Sequence, residues 1–304
     1  MLQYNRDESF EGWLSGKYSE ICDYLGSIVR EKSDADGIDF AKLYPAVEEI
    51  SNAVNTFSRI NPRDINYNLP NMDIAYTSWY LPRRIGDCLP VMDMIFRRGK
   101  CRKIYDIGAG SGAALVALLI RSSYEKSIDK TVEFEYTPCD ISSFGFTMMK
   151  SFYEKFPFEH DVTLKEEIQL DWRNLSVEWS ETCIVSSYLF SIDECSDNNV
   201  VETAKRFHGI FKSASEIYLF TSNKKINIIE ELASLFFEKS SIEIKNFGNL
   251  PVDCRSFTRI RQDIHNHERD RIAPKEMSKF LLLNRVTWRS EGDEQTNYLA
   301  LVED

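Results

Sequence analysis

The first hundred residues carry apolar side chains at helical spacing. In the first stripe, apolar residues recur every three or four positions, as one face of an amphipathic helix requires. The stripe consists of Phe10, Trp13, Leu14, Tyr18, Ile21, Leu25, Ile28 and Val29. A second stripe with the same spacing runs from Phe40 to Phe57, and the polar segment NPRDINYNLPN follows it. A third helix is predicted to begin near Asp73, to be interrupted near Pro82, and to end at RRGKCRK.

From residue 103 onwards, short β-rich runs alternate with helical ones. The runs are KIYDIG, VEFEYTPCD, VTLKEEIQLD, CIVSSYLFS and EIYLFTS, and most intervals between them can hold a helix. Such alternation is typical of parallel βαβ units and predicts a doubly wound α/β fold. Two later runs, around SIEIKNF and NYLALVE, are predicted to add an antiparallel pair at the sheet edge. We therefore expect a mostly parallel seven-stranded sheet with a helical N-terminal cap.

Composition indicates a globular protein that is neither secreted nor inserted in a membrane. Of the 304 residues, 43% are hydrophobic, and no apolar run approaches the ~20 residues that a membrane span needs. The first residues, MLQYNRDESFEGW, lack the basic and then apolar layout of a signal peptide. We therefore expect a soluble, cytoplasmic protein.

Charge and cysteine usage narrow the function classes. The chain has 48 acidic and 37 basic side chains, and this excess of acid disfavours an extended nucleic-acid surface. The seven cysteines are scattered and never form a C-x-x-C pair, so we expect neither a disulfide framework nor a zinc site.

The segment KIYDIGAGSGAALVALLI combines a strand, a glycine-rich turn and a helix of small residues. The strand ends at Asp106, and glycine occupies alternate positions at Gly108, Gly110 and Gly112. Glycine lets the backbone adopt positive φ and approach a ligand closely. Gly108, Gly110 and Ala113 also satisfy the G-x-G-x-x-G/A dinucleotide pattern. However, a carboxylate at the strand end would repel a pyrophosphate, whereas it suits a ligand with ammonium and sulfonium groups.

The segment from Asp106 to Gly112 resembles the first motif of the class I methyltransferases that use S-adenosylmethionine (SAM), acidic-x-Gly-x-Gly-x-Gly. The resemblance extends over roughly residues 100–225 and implies SAM as the cofactor. VEFEYTPCDIS resembles the family's second strand, whose terminal acid binds the ribose hydroxyls. This likeness implies that role for Asp140, with the adjacent Ile141 also at the cofactor.

Two later segments resemble further cofactor and active-site elements of the same family. IQLDWRN is similar to the loop after the third strand, which implies Asp171 at the adenine amino group and Trp172 at the adenine face. CIVSSYLFSID is similar to the fourth strand, which runs under the reacting methyl group. That likeness implies cofactor contact for Ser186 and catalytic roles for Ser187 and Tyr188.

Other roles for these residues remain open. Asp140 could instead be the N-cap of the helix predicted over SSFGFTMMKSFYEKF, and Trp172 and Tyr188 could be core residues. Asp140 lies 28 positions after Gly112, further than the ~20 residues usual between the glycine turn and the ribose acid. The polar interval RSSYEKSIDK is predicted to absorb the excess as a longer helix and loop.

Two segments outside the cofactor motifs could bind the acceptor. AYTSWYLPRR brings aromatic and arginine side chains just before the first strand and is predicted to form a lid, with Tyr80 as a catalytic candidate. A helix that packs its aromatics on the sheet is the alternative. RSFTRIRQDIHNHERDRIAPK is locally basic and contains His265 and His267. It is compatible with a solvated surface loop, an anionic acceptor or an RNA contact.

The sequence thus predicts a SAM-dependent methyltransferase that acts on a small molecule. Residues 1–98 form the helical cap and substrate region, and residues 99–304 form a Rossmann-like SAM-binding domain with an insertion near 250–280. The helical region before a SAM fold also resembles nicotianamine-synthase-like enzymes, which transfer or cyclise the aminocarboxypropyl arm. AYTSWYLP and SYLFS resemble the ribosomal small-subunit assembly methyltransferase-like family, whose cysteine cluster this chain lacks. A SAM-fold binding module without catalysis is a further alternative.

Overall fold

The computed structural model describes residues 7–35, 45, 46, 49, 66–187, 189, 199–222, 226–236, 240–244 and 296–302. Three predictions fall outside these residues: the second apolar stripe, the insertion near 250–280 with its two histidines, and the role of Tyr188.

Helices and strands alternate along the described chain. The helices are α1 (Glu8–Ala35), α2 (Met72–Arg98), α3 (Ala113–Ser127), α4 (Phe146–Glu154), α5 (Val200–Phe211) and α6 (Ile226–Leu235). The strands are β1 (Lys103–Ile107), β2 (Phe134–Asp140), β3 (Val162–Leu164), β4 (Ile168–Gln169), β5 (Thr182–Ser187), β6 (Glu216–Ser222), β7 (Ser240–Ile244) and β8 (Thr296–Val302). A 3₁₀ turn spans Trp172–Asn174.

The strands form one mixed sheet in the order β3-β2-β1-β5-β6-β8-β7, and β4 also pairs with β2. The pairs among β1 to β6 are parallel, whereas β8 is antiparallel to both β6 and β7. Because β3 and β4 share the same edge, the described strands occupy seven positions. The predicted Rossmann-like α/β fold class and the antiparallel pair near the edge are therefore confirmed.

In the sheet, β1 has β2 as its neighbour on one side and β5 as its neighbour on the other, so the strand order reverses at β1. In open α/β sheets such a switch point opens a crevice outside the carboxyl ends of the strands, where ligands bind. The glycine turn lies at this position because it directly follows β1.

The run VTLKEEIQLD forms two strands, so its prediction as a single strand is wrong. Leu164 pairs with Tyr136, and the next pair joins Ile168 to Cys139. Between these two pairs, the segment that contains β3 and β4 advances by four residues, whereas β2 advances by three. One extra residue produces a bulge, and the ladder is interrupted there.

The helix α1 confirms the first apolar stripe, but the predicted interruption near Pro82 is wrong. The helix α2 runs without a break through Pro82. A proline inside a helix costs about 3 kcal/mol. Beyond it, α2 packs against α3 and buries Ile85, Leu89, Met92 and Ile95. Burial of each such side chain contributes roughly 1.5–3 kcal/mol, which outweighs the proline's cost.

The predicted longer helix before β2 is confirmed, since α3 extends to Ser127. Its polar residues from Arg121 to Glu125 are nevertheless buried, because α1 packs against this helix. The rings of Phe10 and Trp13 on α1 contact Tyr124, with centroids 5.3 and 5.9 Å away. The N-terminal helices therefore share one hydrophobic core with α3, β1 and β2.

Candidate functional site

The turn after β1 has the backbone conformation that its glycines predict. Gly108, Gly110 and Gly112 have φ angles of 78, 54 and 85°, a region that side chains with a Cβ rarely adopt. The backbone N–H groups of Gly108 and Ala109 donate to the carbonyl oxygen of Cys139 at 2.8 and 3.1 Å. The turn is thereby fastened to the end of β2.

Asp140 makes the second link between β2 and this turn. Its Oδ2 accepts a hydrogen bond from the Gly110 N–H at 2.8 Å, and its Oδ1 accepts one from the Ser142 N–H at 2.9 Å. Burial raises the pKa of Asp140 above its ordinary value, although the backbone N–H donors act in the opposite direction. An ionised carboxylate has about four acceptor positions, so Asp140 retains capacity for a further hydrogen bond beside its backbone donors.

Asp106 is fully buried at the end of β1, and only one of its oxygens has a partner among the described residues. The Tyr136 hydroxyl on β2 donates to Oδ2, while Oδ1 has no hydrogen-bond partner there. Burial raises the pKa of Asp106 to about 7, because water no longer solvates the charge. A cationic ligand group at Oδ1 would satisfy this oxygen and stabilise its charge.

Gly145, which the sequence analysis overlooked, allows α4 to begin directly against the glycine turn. A Cβ at Gly145 would overlap the carbonyl group of Gly110. A Cβ at Gly112 would likewise overlap the side chain of Met149 on α4. By contrast, a Cβ at Gly110 would come no closer than 3.8 Å, to a Tyr76 ring atom. Thus the turn is closed on its α4 side and has space at Gly110.

An aromatic cluster with one arginine lies beside Gly110 and contains Tyr67, Tyr76, Tyr80, Arg84 and Phe144. The Tyr76 ring centroid is 4.6 Å from that of Tyr80 and 5.1 Å from that of Phe144. The Arg84 guanidinium lies over the Tyr80 ring at 4.8 Å and donates to the Tyr76 hydroxyl at 2.7 Å. The predicted catalytic candidate Tyr80 therefore packs against Tyr76, whose ring is the side chain nearest to Gly110.

The end of β5 brings two predicted site residues next to β1. Val185 pairs with Asp106. Ser186 and Ser187 follow Val185 and therefore lie at the carboxyl end of β5, next to the carboxyl end of β1. Both serines are buried, and the Ser186 hydroxyl has no partner among the described residues. Leu189 comes back toward the turn, and its Cδ1 would be 3.2 Å from a Cβ at Gly108.

Asp171 and Trp172 already have protein partners. The Asp171 carboxylate accepts from the Arg173 backbone N–H at 2.9 Å and pairs with the Arg173 guanidinium at 2.7 Å. The Trp172 ring is buried with Phe207 and Phe211 of α5, at centroid distances of 5.6 and 6.4 Å. Their predicted adenine contacts remain predictions.

Two apolar side chains are exposed where β2 and β4 end. Ile141 follows Asp140 and is 69% exposed, and Leu170 follows Gln169 and is 46% exposed. Because Asp140 pairs with Gln169, these side chains lie on neighbouring segments. Each of these exposed apolar side chains thus directly follows one member of the Asp140–Gln169 pair.

No family model matches the sequence, and no curated protein is similar to it in sequence. Solved structures do match. The phosphoethanolamine N-methyltransferase 2 of Haemonchus contortus, in complex with S-adenosyl-L-methionine, matches with 11% identity and a TM-score of 0.47, over 81% of this chain and 60% of that chain. The cyclopropane synthase MmaA2 of Mycobacterium tuberculosis matches with 12% identity and a TM-score of 0.40, over 70% of this chain and 84% of that chain.

A third matching structure is the tRNA (m1A58) methyltransferase TrmI of Aquifex aeolicus, with 13% identity and a TM-score of 0.33. That match covers 51% of this chain and 56% of that chain. At these identities the likeness concerns the fold.

Among the described residues, no helix has the length and apolarity needed to span a membrane. Within the same residues, no group of three or more His, Cys, Asp or Glu side chains forms a candidate metal site.

Proposed function

We propose that the chain is a SAM-dependent methyltransferase that acts on a small molecule. The observation that carries this proposal is the buried Asp106 carboxylate, whose Oδ1 has no hydrogen-bond partner among the described residues at the glycine turn. An unsatisfied buried carboxylate oxygen costs free energy that a cationic ligand group would recover. SAM has an ammonium group on its amino-acid arm, whereas a dinucleotide would bring a pyrophosphate toward the Asp106 charge.

Asp140 is the residue we assign to the ribose of SAM. Both of its oxygens already accept backbone N–H bonds, yet the carboxylate retains capacity for a hydroxyl donor. The side chain is partly exposed, so a diol can reach it. In this role Asp140 would align the ribose with the turn that it also secures.

The exposed apolar pair of Ile141 and Leu170 is suited to the adenine ring. Large exposed hydrophobic side chains that adjoin a polar site favour contact with an apolar ligand face. Their position directly after Asp140 and Gln169 fits a base attached to a ribose at Asp140.

Arg84 is suited to an anionic group near the turn, which in SAM is the carboxylate of the arm. Arg84 lies against Tyr76 and Tyr80, and its charge acts on both Asp106 and Asp140. The rings that surround it would exclude water from that side of the ligand. We therefore assign to this part of residues 1–98 the lid and acceptor region that the sequence predicted.

When bound, SAM supplies a methyl group that is activated for in-line displacement. The residues of this chain then have to orient the acceptor and keep water away, and a base is needed only if the acceptor carries a proton. Ser187 at the end of β5 and Tyr80 on α2 are our candidates to contact the acceptor, with Tyr188 as the third. The formal charge of −11 favours a small acceptor over a nucleic acid.

Calorimetry with SAM, S-adenosylhomocysteine and NAD tests the cofactor. We expect saturable binding of the first two ligands and no binding of NAD. Saturable NAD binding without any heat from SAM would refute the assignment. Product analysis then separates two reactions, because methyl transfer releases S-adenosylhomocysteine and transfer of the aminocarboxypropyl arm releases methylthioadenosine.

A further inference from the structure

Among the described residues, the sheet contains two buried tyrosine–carboxylate pairs with different surroundings. The Tyr218 hydroxyl donates to Oε2 of Glu216 at 3.0 Å, and the other oxygen of Glu216 accepts from Arg98 Nε at 2.6 Å. Glu216 thus has a partner on both oxygens. The Tyr136 hydroxyl donates to Oδ2 of Asp106, but Oδ1 of Asp106 has no partner among the described residues.

The hydroxyl of Tyr136 favours the charged form of Asp106. A carboxylate accepts a hydrogen bond more strongly than a carboxylic acid does, so an O–H donor stabilises the ionised state. Tyr136 and Asp106 are both fully buried, and water cannot replace this donor. Burial also raises the pKa of Tyr136 well above its ordinary value, so the hydroxyl keeps its proton at neutral pH.

Other titratable and charged groups also face Asp106 from the elements packed around it. These are Cys139 and Asp140 on β2 and Arg84 and Cys88 on α2. The negative charge of Asp140 opposes ionisation of Asp106, and the positive charge of Arg84 favours it. Against this background the Tyr136 hydroxyl is the hydrogen bond that stabilises the carboxylate.

We infer that Tyr136 is a positioning residue that holds Asp106 as a carboxylate through Oδ2, so that the buried and unpartnered Oδ1 can accept the ammonium group of the cofactor arm. This inference rests on the proposed use of SAM. Tyr136 itself does not touch the cofactor in this arrangement, since its hydroxyl is directed to Oδ2. Its effect on binding therefore depends on the charge of Asp106.

The variant Tyr136→Phe removes the hydroxyl and retains the ring. Asp106 then keeps its proton to higher pH, and ligands with an ammonium group lose their charge partner. We expect S-adenosylhomocysteine to bind at least about tenfold more weakly at neutral pH, since hydrogen bonds to charged groups have this magnitude. Methylthioadenosine lacks the amino-acid arm, so its affinity should stay within about twofold of the parent's.

The experiment measures both ligands by calorimetry for the parent, Tyr136→Phe and the control Tyr218→Phe, between about pH 6 and pH 9. Tyr218→Phe deletes a hydroxyl from the other buried tyrosine–carboxylate pair and should bind both ligands as the parent does. The loss of S-adenosylhomocysteine affinity in Tyr136→Phe, relative to the parent, should diminish as the pH rises. The ligand's own amino group titrates equally in all variants, so it cancels in the comparison.

Three results would overturn the inference while the proposed function stands. They are an equal loss for both ligands, parent-like binding of both ligands by Tyr136→Phe, and a loss that does not change with pH. Should Tyr136→Phe not fold, the parent still tests the charge of Asp106 on which the inference depends. Its affinity for S-adenosylhomocysteine relative to methylthioadenosine must fall as the pH decreases below about 7. A parent that binds neither ligand overturns the proposed function itself, and the inference with it.

Discussion

The carboxylate of Asp140 accepts a hydrogen bond from the backbone N–H of Gly110 at 2.8 Å, across 30 positions of sequence. This bond joins the end of β2 to the glycine turn after β1. The residue that the sequence proposed as the ribose ligand therefore also holds the turn in place. A change at Asp140 should affect the cofactor through both interactions.

Asp140→Ala should weaken SAM at least about tenfold, because it removes charge-assisted hydrogen bonds of roughly 1.5–3 kcal/mol each. Asp140→Asn keeps one acceptor oxygen, so its affinity for SAM should fall by less than that of Asp140→Ala. Calorimetric titration of SAM measures both effects. Asp161→Ala is the control, since Asp161 accepts the Val132 N–H just before β2 begins, at the end of that strand opposite to Asp140. If both Asp140 variants bind SAM like the parent, the ribose acid lies elsewhere, and the assignments of Asp171 and Ser187 fall with it.

Gly110→Ala should reduce SAM binding more than it reduces stability. A Cβ at Gly110 meets no atom closer than 3.8 Å, so the protein can accommodate it at the cost of the left-handed φ, about 1–2 kcal/mol. The added methyl group would occupy space that we assign to the cofactor, and Gly110→Val should bind still less. SAM titration measures the effect of each variant on binding, and thermal unfolding measures its effect on stability. Unchanged SAM affinity in Gly110→Ala would show that the turn does not face the ligand.

Gly145→Ala should instead lower the melting temperature, because its Cβ would overlap the Gly110 carbonyl and force α4 away from the turn. Gly86→Ala in α2 is the matched control. A Cβ at Gly86 would have no neighbour within 4 Å, so this change should be neutral or stabilise by about 0.5–1 kcal/mol.

The stability of the ligand-free protein should depend on pH through Asp106. Burial raises the pKa of its carboxyl group from 3.8 to about 7, so the folded chain holds this proton where the unfolded chain has released it. The parent therefore loses stability as the pH rises from about 4 to about 7, by an amount on the order of 4 kcal/mol, and loses no more above that range. Asp106→Asn lacks this penalty.

We expect Asp106→Asn to have a higher free energy of unfolding than the parent at about pH 8, and the difference to shrink toward about pH 4. Urea denaturation without ligand measures this difference. The same variant should lose SAM binding, because the amide has no charge for the ammonium group. A difference that stays constant across the pH range would contradict the assigned pKa of Asp106.

Arg121→Ala should destabilise the protein strongly. The buried guanidinium pairs with Asp93 at 2.8 Å and with Glu125 at 2.6 Å, and its removal deletes both of these buried ion pairs. Breaking a buried pair of this kind costs about 3–5 kcal/mol. Lys17→Ala removes one partner of the exposed pair with Glu20 and should cost at most about 1 kcal/mol. Equal urea midpoints for the two variants would contradict this ranking.

Much of the fold was predictable because its signals are local. The apolar stripe from Phe10 to Val29 predicted α1, and four of the five β-rich runs each correspond to one parallel strand. The alternate glycines predicted a turn with positive φ, which the structure has. These signals depend on neighbours a few residues away, so the sequence displays them directly.

Two predictions from the sequence were wrong, and in both cases tertiary contacts outweigh a local structural preference. Proline favours a helix break, yet α2 continues through Pro82 because its later turns bury apolar side chains against α3. The run VTLKEEIQLD has a continuous strand pattern, yet pairing with β2 accommodates it only with an extra residue between Leu164 and Ile168. Neither outcome can be read from the segment alone.

By itself, the sequence determined the order of the elements, the glycine turn and the acid before it, because each depends on adjacent residues. The tertiary structure alone decided which partners these residues have. Tyr136 reaches Asp106 across 30 positions, and Asp93 reaches Arg121 across 28. The close approach of Gly145 to Gly110 likewise depends on where α4 packs. Such contacts follow from strand pairing and helix packing, which combine distant segments, and so no local pattern encodes them.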